Sequence, residues 1–118
     1  MRNMSFALTT AQVRAGTKTV TRRFGWWNLK PGDLVQPVVK GMGLKKGEKV
    51  TPIRGPIRIV SARKERVRDV TLDDVAREGF PGWPKEAFIG VLTQNFLKAG
   101  LLTPVNRIAF EYTDTVTT

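Results

Sequence analysis

Between Pro56 and Val67 apolar and basic positions alternate, with Ile57 and Ile59 set against Arg58, Ser61 and Arg63. A period of two belongs to a strand with one buried face, so this stretch predicts a strand that is core on one side and positive on the other. Val60 is a further candidate for the inward side. The pattern returns from Val105 to Tyr112, with Ile108 and Phe110 on one side, and from Leu34 to Val39 after the Pro31-Gly32-Asp33 turn. Ser5 to Leu8 reads as a short first strand, and Thr17 to Arg23, rich in β-branched residues, as extended chain. Helices are predicted where caps frame the apolar positions. Thr9-Thr10 and Gly16 bracket a brief helix over Ala11–Ala15. Thr71 caps a second helix with Asp74 at N3, and Gly79 ends it. A third, Lys85 to Lys98, follows the Pro81-Gly82-Trp83-Pro84 turn, carries Phe88, Val91, Leu92, Asn95 and Phe96 on one face, and is closed by Gly100. Gly41 to Glu48 has little to bury and reads as a mobile basic surface loop, and the Thr-rich end as a fraying tail. Five to six mixed strands with two to three short helices predict an α+β fold, a small barrel capped by helices, in a single domain spanning residues 1–118.

Composition narrows the chemistry. The chain has no cysteine and no histidine, which excludes disulfides and thiolate metal sites and removes the commonest general base. No metal or other cofactor is expected, and catalysis would have to run on Lys, Asp or Glu, Ser or Thr, or Tyr. The formal net charge of +10 is unevenly spread. Residues 1–68 hold sixteen Lys and Arg against three acids, and residues 69–118 hold four against seven. A positive field on the first half of the chain favours a polyanion, RNA or a nucleotide, although solubility alone would also account for it. No apolar run approaches the roughly 18 residues of a membrane span, and Met1 to Leu8 lacks the apolar core of a signal peptide, so a cytoplasmic location is expected.

Several local motifs occur in a definite order: Gly16-Thr17-Lys18-Thr19-Val20-Thr21-Arg22 after a short helix, then Pro31-Gly32-Asp33-Leu34-Val35, the strand Pro56 to Val60, the helix Val70 to Phe80 ending in Glu78-Gly79-Phe80, and the last strand Pro104 to Glu111. In that order and spacing they resemble the ASCH domain, a PUA-like β-barrel family linked to RNA, and the match covers nearly the whole chain. The resemblance implies one of three activities. A small bacterial member removes the acetyl group from N4-acetylcytidine with a Lys, a Thr and a Glu, and the matching positions are Lys18, Thr21 and Glu78. Other members imply a non-catalytic RNA-binding module or a metal-independent ribonuclease. The Trp pair, the Gly-Lys loop and the longer helical region before the last strand are additions relative to the deacetylase, and they could enlarge the binding surface.

If the three residues converge, Lys18 is the available base for the Thr21 hydroxyl. Burial and the neighbouring Arg22 and Arg23 would lower its pKa while Glu78 would raise it. Thr21 could then attack an acyl carbon, or the same pair could activate water, with Glu78 orienting Lys18 or the substrate nitrogen. The same Lys and Thr would serve equally as outward residues of an ordinary surface strand. Glu78 is less ordinary, since a carboxylate near a helix C-terminus meets the unfavourable end of the dipole. Arg22, Arg23, Arg58, Arg63 and Lys64 could form a phosphate-facing rim, and Trp26 could stack a splayed base. Strand alternation would send Trp26 and Trp27 in opposite directions, with at least one of them in the core.

Overall fold

The structure is a computed structural model that describes residues 1–40 and 46–114. Among these residues five strands form one mixed sheet: β1 (Arg2–Ser5), β2 (Val20–Arg23), β3 (Leu34–Val38), β4 (Ile57–Arg66) and β5 (Pro104–Tyr112). Three helices, α1 (Thr10–Ala15), α2 (Leu72–Arg77) and α3 (Lys85–Thr93), lie between them. The strand order is β1-β3-β4-β5-β2, with β1 parallel to β3 and every other pair antiparallel. The α+β class predicted from the pattern is the one formed. The edge strands β1 and β2 are not joined by a ladder among the described residues.

The first strand begins earlier than the pattern of Ser5 to Leu8 implied. Met4 and Phe6 are the buried pair, and Leu8 is exposed in a 3₁₀ turn over Ala7–Thr9. That turn forms because Phe6 ends the pairing with β3 by donating its N–H to Val38 O, and Thr10 Oγ1 donates to Phe6 O. Val60 is also corrected: Ile59 faces Phe110 and Ser61 faces Ala109, so Val60 is the extra residue of a bulge and is exposed. Beyond the bulge the alternation changes phase, which brings Ala62 opposite Ile108 on the core side. The third helix stops at Thr93, short of Lys98. Thr93 Oγ1 donates back to Ile89 O, and Phe96 turns to pack on Phe24 at a centroid distance of 4.6 Å. Of the predicted basic loop, residues 41–45 lie outside the described residues, as does 115–118 of the predicted tail, while Lys46, Gly47 and Glu48 are exposed.

The main core gathers Met4, Phe6, Val35, Ile57, Ile108 and Phe110 on the inner face of the sheet, and a smaller cluster of Val70, Val75 and Phe88 sits between α2 and α3. What fixes α2 to the sheet is charge. Thr71 caps the helix by accepting from Asp74 N, as the sequence predicts, but the Asp74 side chain leaves the helix for β2 and β5. It accepts from Arg22 Nη2 at 2.5 Å, from Arg107 Nε at 2.6 Å and Nη2 at 3.0 Å, and from Arg77 Nη1 at 3.0 Å. The Arg107 hydrogen bond, followed by those of Arg22 and Arg77, holds the Asp74 carboxyl well below the usual carboxylate range against the opposing effect of burial.

Gly79 ends α2 at φ 104°, and a Cβ there would lie 2.9 Å from Gln12 Cγ. Gly79→Ala should therefore cost about 1–3 kcal/mol in denaturant unfolding, from backbone strain and the displaced Gln12 side chain. Asp74→Asn should cost about 3–5 kcal/mol, because Arg22 and Arg107 lose the charge that compensates them. Since the folded Asp74 carboxyl is depressed, its stabilisation is complete above the unfolded carboxylate value of 3.8 and is lost as pH falls through the folded value. Unfolding midpoints measured from pH 6 down to pH 2 should show a smaller acid-side decline in Asp74→Asn than in the wild type.

Candidate active site

Lys18 and Glu78 are sixty residues apart in the chain and meet through backbone ties on both sides. The stretch between α1 and β2 is turned by Gly16, whose φ of 77° is left-handed, and Thr19 N then donates to Arg77 O at 2.9 Å. Gln12 Nε2 donates to Gly79 O at 3.2 Å, so the end of α1 is stitched to the end of α2. The Tyr112 hydroxyl donates to Lys18 O, and burial pushes that phenol up to about 12, which keeps it a donor throughout the neutral range.

Held this way, Lys18 is buried and donates through Nζ to Glu78 O at 2.6 Å and to Glu78 Oε1 at 2.8 Å. An ammonium has three N–H donors, so one direction remains for a ligand. The other carboxylate oxygen, Glu78 Oε2, accepts from Arg22 Nη1 at 3.1 Å. These two cations compensate an acid that the helix dipole alone would disfavour at the C-cap of α2. Burial pulls the Lys18 ammonium down from its ordinary value; Glu78 opposes this, and Arg23 and Arg22 add to it. Thr21 is also buried, and its Oγ1 accepts from Arg23 Nε at 3.1 Å. Lys18, Thr21 and Glu78 all line one cleft of about 320 Å³. It lies at the open seam of the sheet, with Ser5 and Phe6 at the end of β1 on one side, β2 on another, and Phe80, Phe88 and Phe96 from the helical region as apolar wall.

The basic residues separate into different environments. Arg22 is not a rim residue: its side chain is 1% exposed and committed to Glu65, Asp74 and Glu78. Burial lowers its pKa, and the hydrogen bond to Asp74 with the charges of Glu78 and Glu65 more than reverses this, leaving it raised. The reason is that the outward face of β2 is covered by α2. Arg23 lines the cleft, with its guanidinium 4.7 Å above the Phe6 ring; burial lowers it to about 10, and Glu78 opposes the shift. Arg58, Arg63 and Lys64 are exposed and none of them lines the cleft; Arg58 pairs with Glu111 at 3.0 Å. Trp26 is not at the cleft either. It sits at φ 61°, its carbonyl held by Asn106 Nδ2 at 2.9 Å, with its ring against the core and under Arg2 at 4.0 Å, whereas Trp27 is exposed.

Sequence reasoning missed Asp74, Glu65 and Arg107. Asp74 was accounted for by the helix cap, and Glu65 and Arg107 belong to strands whose outward positions read as solvated. Phe6 and Phe24 also line the cleft, and nothing in the local sequence marks either as a site residue. Among the described residues no group of three or more His, Cys, Asp or Glu is placed to hold a metal ion, and no helix is long and apolar enough to cross a membrane.

No family model matches the chain, and no curated protein sequence matches it significantly. Solved structures do. A protein of Enterococcus faecalis V583 carrying the family designation DUF984 superimposes with a TM-score of 0.69 at 14% identity, over 94% of this chain and 75% of that one. An ASCH domain from Lactobacillus crispatus JV V101 superimposes with a TM-score of 0.61 at 19% identity, over 93% of this chain and 77% of that one. With its mixed sheet, its three helices and these two superpositions, the chain has an ASCH-like fold.

Proposed function

We propose that the seam cleft binds a modified nucleoside, free or within RNA, and hydrolyses an amide on its base, with N4-acetylated cytidine as the reference substrate. The observation that carries this reading is the convergence of Lys18, Thr21 and Glu78 on one small cleft with aromatic walls. A cavity of about 320 Å³ is at the small end of ligand sites and suits a single base with its acyl group.

In the proposed reaction the neutral Lys18 amine takes the Thr21 hydroxyl proton, and Thr21 Oγ1 bonds to the acyl carbon. The carbonyl π pair moves onto oxygen and returns as the C–N bond breaks, while the proton on Lys18 passes to the departing exocyclic nitrogen. Water, deprotonated by Lys18, then adds to the threonyl ester carbon; the bond to Thr21 Oγ1 breaks, that oxygen takes the proton from Lys18, and the carboxylic acid leaves. A direct attack by water under the same base gives the same products. Burial together with Arg22 and Arg23 favours the neutral amine that this chemistry needs, and Glu78 fixes its position.

The second reading is a non-catalytic RNA-binding module. It draws on the exposed Arg63, Lys64, Arg66 and Arg68, which lie outside the cleft on and beyond β4. The two readings part in one assay, incubation of the protein with N4-acetylcytidine followed by chromatography for cytidine. Lys18→Ala and Thr21→Ala should each lower kcat/KM by about 10³-fold or more while binding is kept. The wild-type rate should rise with pH through one ionisation below the ordinary lysine value of 10.5. Absence of turnover at high enzyme concentration would reject the hydrolase reading for this nucleoside and leave the binding module.

A further inference from the structure

Four arginines among the described residues are buried or half-buried, and their partners differ. Arg22 is shared among Glu65, Asp74 and Glu78; Arg107 is held by Asp74; Arg54 is held by Asp114 and by the carbonyls of Val13 and Arg14. Arg23 has no ion pair. Among the described residues its only hydrogen bond is from Nε to Thr21 Oγ1, which leaves Nη1 and Nη2 without a partner there, yet no buried polar side-chain atom among these residues is unsatisfied. The two terminal nitrogens are therefore accessible, and the surface they reach is the cleft that Arg23 lines.

The charge within the cleft leads to the same group. Lys18 and Glu78 neutralise each other, and Arg22 is compensated further by Asp74 and Glu65 behind it. Arg23 is bonded to no carboxylate among the described residues, feels the Glu78 charge only without direct contact, and sits on the Phe6 ring at 4.7 Å. A cation–π contact and one hydrogen bond to a neutral hydroxyl are weak compensation for a partly buried guanidinium. Such a fork is complementary to a pair of oxygens that share a negative charge.

We propose that Arg23 is an oxyanion subsite inside the cleft, where Nη1 and Nη2 take a carboxylate or phosphate group of the ligand beside Thr21 Oγ1, and the phenylalanine walls take the flat apolar body to which that group is attached. The proposal deepens the hydrolase reading, because the acid released from an amide is a carboxylate and the carbonyl oxygen becomes negative when Thr21 attacks. It differs from a phosphate-facing rim, since the guanidinium works within the cavity and next to the nucleophile.

The test uses binding and not turnover. The full chain is titrated, at fixed ionic strength, with benzoate, phenyl phosphate and the neutral isostere benzamide, by calorimetry and by the NMR signal of Arg23 Nε–H. In the wild type at least one anion should bind about tenfold or more tightly than benzamide and move the Arg23 signal. Which anion does so identifies the oxyanion. Arg23→Gln should abolish the preference, Arg23→Lys should keep a weakened one, and Lys30→Gln, on the exposed turn before β3, should leave it unchanged. The proposal is overturned if the wild type does not prefer either anion, if neither anion binds, if the Arg23 signal does not respond, or if Arg23→Gln keeps the preference. The NMR titration needs no variant, so a substitution that fails to fold does not remove the test. Anion preference without N4-acetylcytidine turnover would reject the hydrolase reading alone, and turnover without anion preference would reject this subsite alone.

Discussion

Glu78 has both carboxylate oxygens occupied by cations from β2 and the segment leading into it, Oε1 by Lys18 and Oε2 by Arg22. The rest of the site depends on this clamp. It brings the end of α2 against the open edge of the sheet, fixes where the lysine amine sits, and places a charge in a region that is otherwise closed by aromatic rings. Buried ion pairs are a poor way to add stability, since the desolvation penalty consumes much of the Coulomb gain. Apolar residues of similar volume would hold α2 to β2 at least as well. That a buried network of Lys18, Arg22, Glu65, Asp74, Glu78 and Arg107 stands there instead is the main physical ground for reading the seam as a working site.

The position of the cleft follows from the topology. A sheet with two free edges exposes unpaired backbone along both, and proteins commonly cover such edges with other elements. Here the 3₁₀ turn after β1 and the helical region around α3 close over the β2 edge without filling it. The gap is lined by whatever the ends of β1, β2 and α2 carry, which is why residues near positions 5, 20 and 78 share one cavity. The bulge at Val60 contributes indirectly, since its change of phase lets β4 serve the core with Ala62 and the α2 side with Glu65.

An ASCH-like fold by itself leaves the activity open, because one scaffold can carry a hydrolase, a nuclease or a binding module. The distinction rests on the groups in the cleft: a lysine whose burial favours the neutral form, a threonine lining the same cavity, and a guanidinium with no ion pair among the described residues. The exposed basic residues of β4 are a separate feature. None of them lines the cleft, so the two proposed readings rest on different parts of the molecule.

Local pattern determined β3, β4 and β5, the caps at Thr71, Gly16 and Gly79, and the inward faces of β5 and of β4 up to its bulge, because each of these depends on residues within one turn or one strand repeat. The three candidate catalytic positions were legible only through the resemblance that their spacing carries. The sequence alone misread Arg22 as surface, Val60 as core and Asp74 as a helix-capping residue, and it could not separate Arg23 from its neighbour. For Val60 the deciding fact is the bulge in its pairing with β5; for the others it is which distant element covers a given face. Period two says that Arg22 points away from the sheet's core; only the docking of α2 over that face turns an outward arginine into a buried one with three carboxylates, and leaves Arg23, on the opposite face, with none.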